Sequence, residues 1–448
     1  VGADNLRLRR LAATIGSLAM FIRSTQHVDS YYAASTLALQ IPRAPLQETL
    51  EVDVVVVGAG FTGLYTALNL AARGFSVAIL EASRVAWAAS GRNGGQMILG
   101  FSCDMPPFEA ALGLDGARQI WQLTQEAAAE IRQRITDHGI DCEFASGHLW
   151  TSVQQRRVHL LTDWQEEAQR KWGYTGLRMV DKAELAQHVG SARYQAGLLD
   201  SNGGHLHPLK YALGLARVAE SMGVRIFENT KALHYSEAPD RVQVQTESGS
   251  VLAKRMVLAC NSYVDQLAPK LQQRMLPVGT YMIATAPLSP EQAQQVLPSN
   301  LAVSDNQFIL DYFRLSADRR LLFGGKCTYT GRTPANLRES MRADMLKVFP
   351  ALADLPIDYA WGGHIDITMA RTPDFGNAGN VYWAQGFSGH GLVPTCVAGR
   401  VLAQAIAGDD TNLRLFSALN NRPFPGGEVV AGMLQVLGMS YYRLRDYF

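Results

Sequence analysis

Apolar positions along the chain recur with two different periods, and the change from one to the other marks out its elements. Val54-Val55-Val56-Val57 is an unbroken apolar run, as in a parallel strand buried on both faces, and Ser76 to Leu80 reads as a second strand after a helix that Gly74 ends. Ala110 to His138 is amphipathic at helical spacing, and Gly147 to Ser152 reads as a strand. Helices are predicted near Gln154 to Trp172 and Lys182 to His188, and this part does not repeat the strand-helix-strand order. A helix over Leu209 to Met222 and a strand over Val224 to Phe227 return the chain to the first sheet. Val242 to Thr246, Val251 to Ala253 and Met256 to Cys260 read as successive strands, the last running into the loop Asn261-Ser262-Tyr263. Strands at Thr280 to Ala286, Phe308 to Leu315 and Arg320 to Cys327 suit an antiparallel sheet. A final strand, Asn380 to Ala384, precedes a helix from Pro394 to Ala407, with Gly408 just past its end.

The turns between these elements carry the chemistry. The first strand runs into Gly58-Ala59-Gly60-Phe61-Thr62-Gly63, and the second ends at Glu81. Gly58 permits the tight turn, Gly60 lets backbone N–H groups approach a pyrophosphate, and Gly63, with Ala67, lets the helix pack closely on the sheet. The helix start turns its positive end to the phosphates, and Glu81 is placed to accept both ribose hydroxyls. A second glycine stretch, Ser90-Gly91-Arg92-Asn93-Gly94-Gly95-Gln96, favours FAD over NAD, because a long dinucleotide needs backbone close to its ribityl chain and ring. A third, Gln385-Gly386-Phe387-Ser388-Gly389-His390-Gly391-Leu392, opens the last helix. Its N-terminus is worth roughly 0.3 to 2 kcal/mol toward the negative charge that develops on a flavin as it accepts hydride. His390 reads equally as a flavin contact or as a loop histidine capping that helix. No second GxGxxG occurs, so the substrate itself is expected to reduce the flavin.

Composition narrows the class. At 448 residues, 47% hydrophobic and 18% charged, the chain is globular, and a net charge of +1 argues against a nucleic-acid surface. Five cysteines, Cys103, Cys142, Cys260, Cys327 and Cys396, lack CxxC spacing, which fits a reducing, cytoplasmic setting without a zinc or iron–sulfur site. Arg7, Arg9 and Arg10 precede an apolar stretch from Leu11 to Phe21 that is too short to span a bilayer. It is read as a non-structural extension, with Met20 a candidate natural start and a membrane-touching amphipathic helix the other reading. No stable membrane insertion is expected.

The expected fold is α/β (α+β overall): a Rossmann-like FAD-binding domain interleaved with an antiparallel-sheet substrate domain. Residues 1–45 form a lead-in. Residues 46–105, 200–268 and 358–448 are assigned to the FAD-binding domain, and 106–199 with 269–357 to the substrate domain.

These glycine segments, with Gly203-Gly204-His205-Leu206-His207-Pro208 between them, resemble the D-amino acid oxidase, glycine oxidase and sarcosine oxidase superfamily. The likeness extends through Ser30 to Ser35, Ala82-Ser83-Arg84, Asp141-Cys142, Leu310 to Leu315 and Arg422 to Gly427. It implies oxidation of a small-molecule amine to an imine, hydrolysis to an aldehyde, and return of the electrons to O2 as hydrogen peroxide. By the same resemblance FAD is contacted by Gly58, Gly60, Phe61, Thr62 and Gly63, by Glu81, Ala82, Ser83 and Arg84, and by Ser90 to Gln96. Ala232, Ala259, Asn261 and the loop Gly386, Ser388, Gly389, His390, Gly391 and Leu392 complete the expected set. Ala232 stands where relatives usually carry Val. Relatives acting on amino acids hold the α-carboxylate with arginines near His364 and near Ser388 to His390, and this chain has neither. An amine without an α-carboxylate is therefore implied, with FAD held non-covalently.

Among candidate catalytic residues, Lys326 lies roughly where sarcosine oxidases place an oxygen-activating lysine. Tyr281, Tyr312, Phe313 and Trp361 are candidate aromatic walls that would lower the pKa of a substrate amine, or else core aromatics. Asp311 either steers a cation or is an exposed turn acid, and His207 either contacts substrate or fixes the start of the next helix. A dehydrogenase passing electrons to a quinone is the rival enzyme reading, and a flavin-binding protein without turnover the rival outside enzymes.

Overall fold

Two sheets share the chain, which crosses between them several times. A computed structural model of the protein describes residues 24–307, 309–328 and 333–425, so the arginine-led N-terminal stretch, Gly426 and Gly427 lie outside the described residues. The valine run is strand β1 (Thr49–Val57), followed past the glycine turn by α1 (Phe61–Ala71) and β2 (Val77–Leu80). A two-residue strand, β3 (Gln96–Met97), leads away from this unit. Helix α2 (Pro106–Asp137) begins before Ala110, and Gly113, at φ 71° and ψ 176°, breaks its first turns from the rest. Then come β4 (Ala145–Ser152), α3 (Val158–Trp172), β5 (Leu177–Val180) and β6 (Ala196–His205), and the helix predicted from Lys182 is a single turn, Lys182–Leu185. Helix α4 (Pro208–Ser221) and β7 (Arg225–Phe227) bring the chain back beside β2.

The hairpin β8 (His234–Ala238) and β9 (Arg241–Gln245) precedes β10 (Ser250–Leu258), one continuous strand where the hydrophobic pattern gives two. Its polar interruption, Lys254-Arg255, falls where one edge changes partner: β9 pairs antiparallel over Ser250 to Ala253, and a later parallel strand over Met256 to Leu258. The remaining elements are β11 (Leu276–Thr285), β12 (Ala302–Asp305), β13 (Tyr312–Leu315), β14 (Leu321–Thr328), α5 (Leu337–Val348), β15 (Ile357–Ile367), β16 (Asp374–Ala378), β17 (Val381–Gln385) and α6 (Leu392–Ile406). The strand predicted from Phe308 begins only at Tyr312, and Phe308 lies outside the described residues.

In the first sheet, β17, β10, β1, β2 and β7 are parallel, and β16 closes one edge antiparallel. Val54 and Val56 face helices α1, α4 and α6, while Val55 and Val57 face the core under the β8–β9 hairpin. A strand covered on both sides needs apolar residues at every position, which is why its period vanishes. The second sheet runs β15-β11-β14-β13-β12-β4-β6-β3, with β5 on β6, and is antiparallel except where β12 meets β4. Residues 96–97, 200–205 and 358–367 pair in this second sheet, although the sequence segments placed them with the nucleotide unit. Helix α5 backs β11, β14 and β15 through Met341, Met345 and Val348. No helix among the described residues is long and apolar enough to cross a membrane.

Candidate active site

One cavity of about 750 Å³ begins at the end of β1 and runs between the sheets, within the size range of small-molecule sites. Its first end is made of backbone. Gly58 holds φ 106°, and a side chain there would meet the Ala259 carbonyl at 2.6 Å. A Cβ at Gly63 would lie 1.9 Å from the Gly58 carbonyl oxygen, so this glycine lets α1 seat against the turn. Gly60, Phe61 and Thr62 line the cavity at the start of α1, and the Phe61 N–H donates to Ser90 Oγ at 2.9 Å. Glu81, at the end of β2, accepts from the Ala59 N–H (2.8 Å) and the Ser83 N–H (2.9 Å), one on each oxygen. Burial outweighs those two donors and pushes its carboxyl up to about 7. A carboxylate has about four lone-pair sites, so room remains for ribose hydroxyls. Ala82, Ser83, Ala232, Ala259 and Asn261 line the same end. Arg84 does not line this wall; its guanidinium pairs with Glu228 at 3.0 Å, bracing the strand ends.

The second glycine stretch forms the middle of the cavity. Ser90, Arg92, Asn93, Gly94 and Gln96 line it. Gly91 and Gly95 instead pack against backbone, with Cβ positions 2.3 Å from the Ala86 carbonyl oxygen and 2.0 Å from that of Leu206. Arg92 lies 4.3 Å over the Trp87 ring and donates to the Trp87 carbonyl at 2.7 Å. Asn93 shapes its own loop by accepting from Gly95 N–H (2.8 Å) and donating to the Ala89 carbonyl (2.9 Å). Gln96 donates to the Val303 carbonyl and accepts from Ser304 Oγ at 2.8 Å, which ties this loop to the second sheet. A residue that the sequence did not single out supports the loop from beneath. Arg314 is 1% exposed and donates to the Gly94 carbonyl (2.7 Å), the Leu315 carbonyl (3.2 Å) and the Tyr32 hydroxyl (3.1 Å).

Buried Asp366 organises the third loop. Its carboxylate accepts from the Gly386 and Phe387 N–H groups, and the Asn261 amide nitrogen donates to it at 2.6 Å. Burial pushes Asp366 up to about 6. Gly386 stays behind the wall, where a Cβ would strike Thr368, while Ser388, Gly389, His390, Gly391 and Leu392 line the cavity. His390 Nε2 is 3.0 Å from the Ile98 carbonyl oxygen, and burial lowers its pKa, so the ring is neutral and donates. It lies on the cavity wall and ties the third loop to the chain just after β3. Gly391 precedes α6 without a side-chain cap, and buried Ser388 Oγ has no partner.

Beyond these loops the wall is aromatic. Tyr312 and Trp361 line the cavity, and Trp361 donates its indole N–H to the Arg92 carbonyl at 3.0 Å. His364 lines it too, with the Tyr263 hydroxyl 3.3 Å from its Nδ1. Tyr281 and Phe313 belong to the second-sheet core instead; Tyr281 bonds Thr328 at 2.6 Å and Phe313 stacks on Phe323. Asp311 also lies off the cavity. It faces Arg193 at 3.8 Å, and burial beside Asp305 pushes it up to about 7, so it is neither a cation guide in the chamber nor an exposed turn acid. Lys326, the candidate oxygen-activating lysine, reaches the wall with its ammonium ion-paired to Asp344, which offsets part of its charge. His207 caps α4 by accepting from the Lys210 N–H at 3.1 Å, which is the structural one of its two readings.

Backbone strain concentrates here. Ala86, Asp104, Asn261, Asp265, Lys326, Arg371 and Ser388 are non-glycine residues at positive φ, and all line this cavity. Left-handed backbone at such residues costs roughly 1 to 3 kcal/mol each and persists where surrounding structure enforces it.

A glycine turn on a parallel sheet, a partly buried acid just past the next strand, an uncapped helix start and an orphaned hydroxyl together fit FAD, and the second sheet encloses the space beyond. Fold and site define an FAD-dependent oxidoreductase. The family described as DAO, FAD dependent oxidoreductase, matches residues 53–405, and the chain belongs to that family. It is 39% identical over 424 residues to gamma-glutamylputrescine oxidoreductase of Escherichia coli, covering 94% of this chain and 99% of the relative. It is 40% identical over 428 residues to the probable oxidoreductase OrdL of Haemophilus influenzae, covering 94% and 98%. Among solved structures, glycine oxidase from Bacillus cereus matches with a TM-score of 0.69 at 19% identity, over 83% of this chain and 99% of that one. L-amino acid deaminase from Proteus vulgaris gives 0.70 at 20% identity, over 88% and 100%. At such identities these two bear on the fold alone.

Proposed function

We propose that the chain oxidises an amine of the polyamine class, such as a glutamylated putrescine, to an imine that water hydrolyses to an aldehyde, with O2 as the electron acceptor. FAD, held non-covalently, supplies the two-electron acceptor when bound. Its dinucleotide end is assigned to Gly58, Gly60, Glu81, Ala82 and Ala259, and its ring end to Arg92, Gly94 and the start of α6. An alkylammonium in water has a pKa of about 10, and only the neutral amine has a lone pair free. The walls of Tyr312 and Trp361 disfavour the charged form by desolvation. His364, beside the Tyr263 hydroxyl on the same wall, takes the released proton in this reading.

The observation that carries the substrate class is the wall formed by His364, Ser388, Gly389 and neutral His390. A buried carboxylate beside the reacting carbon would face imidazoles and a hydroxyl instead of a bidentate guanidinium, and would lose its strongest partner. The likeness to gamma-glutamylputrescine oxidoreductase points the same way.

Anaerobic loss of the visible flavin band tests this reading. Polyamine derivatives are expected to bleach it and α-amino acids to leave it coloured; the reverse order would overturn the reading. Peroxide formed in step with aldehyde supports O2 as acceptor, whereas turnover only with an added dye or quinone would replace the oxidase by a dehydrogenase.

A further inference from the structure

The second and third glycine loops each rest on a buried ion, and the two ions have opposite sign. Behind the second loop, Arg314 of β13 is 1% exposed and donates from Nε to the Gly94 carbonyl at 2.7 Å. A Cβ on Gly95 would lie 3.0 Å from Arg314 Nη2, so the guanidinium lies flush against this backbone. Its other donors meet the Leu315 carbonyl and the Tyr32 hydroxyl, and among the described residues no carboxylate pairs with it. Tyr32 is not the missing anion, because complete burial raises its phenol pKa and keeps it neutral. At the third loop, Asp366 of β15 is likewise 1% exposed and lines the cavity. Its carboxylate accepts from the Gly386 and Phe387 N–H groups and from the Asn261 amide, and among the described residues no cation pairs with it. These hydrogen bonds satisfy both groups but cancel neither charge. Burying an ion without a counter-ion is costly, and bonds to neutral partners recover only part of that cost.

We propose that Arg314 and Asp366 are positioning residues that set the reduction potential of the bound flavin in opposite directions, Arg314 raising it and Asp366 lowering it. This rests on the assignment of the flavin ring to Gly94 and the start of α6 made above. A hydride brings two electrons and one proton, and so adds one negative charge to the ring. A fixed cation nearby favours that charge and a fixed anion opposes it, and inside the protein neither is screened as it would be at the surface. Arg314 acts through the Gly94 carbonyl, and Asp366 through the two N–H groups that it holds. Both loops also need these bonds for their shape, so loss of either partner is destabilising. Only the sign of the change in potential separates charge from shape.

The test is the midpoint potential of the flavin in holoenzyme, read by equilibration with reference dyes at pH 8, where Asp366, pushed by burial only to about 6, is ionised. No amine enters this measurement, so it is independent of the substrate. Arg314→Met is expected to lower the equilibrium constant for two-electron reduction by about tenfold, which is about 30 mV for such a couple. Asp366→Asn is expected to raise it by about tenfold. Arg314→Lys, which keeps the charge but not the fork, is expected to stay within about threefold of wild type. Shifts in the same direction for Arg314→Met and Asp366→Asn, no shift in either, or a fall in Arg314→Lys as large as in Arg314→Met would overturn the proposal and leave both residues a role in loop shape alone. Should one neutral variant be recovered without flavin, the other decides by the sign of its shift. Loss of flavin from both would overturn the proposal too, because the charges would then serve to hold the cofactor. Bleaching by amines judges the amine-oxidising reading separately in every case.

Discussion

At the cradle end of the cavity the wall is main chain, set by Gly58, Gly60, Gly63 and the start of α1, whereas at the far end it is the side chains of Trp150, Trp164, Asp104, Glu167 and Arg371. The first end tolerates little, because a backbone atom has nowhere to move when a neighbour grows. The second tolerates exchange, because one long side chain can take another's place at the cost of selectivity. The contrast predicts all-or-none effects at one end and graded ones at the other.

Gly63→Val should break the contrast most sharply. Its Cβ would lie 1.9 Å from the Gly58 carbonyl oxygen, so the turn must open. Purified protein is expected to be colourless and to remain so after incubation with FAD. Next is Arg314→Met, which leaves the Gly94 carbonyl without its buried donor. It should cost about 2 to 4 kcal/mol, seen as a lower Tm and faster flavin loss. Arg314→Lys should rescue it only in part, because one ammonium cannot reproduce the fork.

Glu81 sharpens the comparison through pH. With its carboxyl near 7, the ionised acceptor for ribose hydroxyls disappears as pH falls through that value. FAD affinity, followed by the fluorescence of released flavin, should weaken by up to about tenfold per pH unit below it. Glu81→Gln should bind more weakly at pH 8 and lose the dependence. The apoprotein moves oppositely. The folded state holds this proton more tightly than the unfolded one, so the Glu81 contribution to stability is larger at pH 5 than at pH 8. The smallest effect is expected at Lys326. Asp344 already offsets its charge, so Lys326→Met should slow reoxidation of reduced enzyme by about threefold or less, and Asp344→Asn should accelerate it.

This difference in construction also decided what could be read from the chain before folding. Gly58, Gly60, Gly63 and Glu81 stand at fixed offsets dictated by one strand, one turn and one helix, so local spacing was enough. Asp366 and Arg314 were illegible because they act across distance: Asp366 sits in β15 and holds the loop after β17, and Arg314 sits in β13 and holds the loop before β3. Nothing in their own neighbourhoods marks them except a charged residue within a strand. Tyr281 and Phe313 failed as chamber walls for a related reason. Alternation separates the two faces of a strand but does not say which face meets a cavity, and in β11 and β13 theirs packs under α5. The partner of Arg84, Glu228, follows β7 and is far from it in sequence, so their pairing could not be read locally.

Strand β3 is only two residues long, but it hydrogen-bonds the second glycine loop directly into the sheet that encloses the cavity. Loading the cofactor and shaping the chamber are therefore mechanically joined. A compound screen or crystallisation trial on flavin-free protein would address a differently shaped target, and hits for this enzyme should be sought only on yellow preparations.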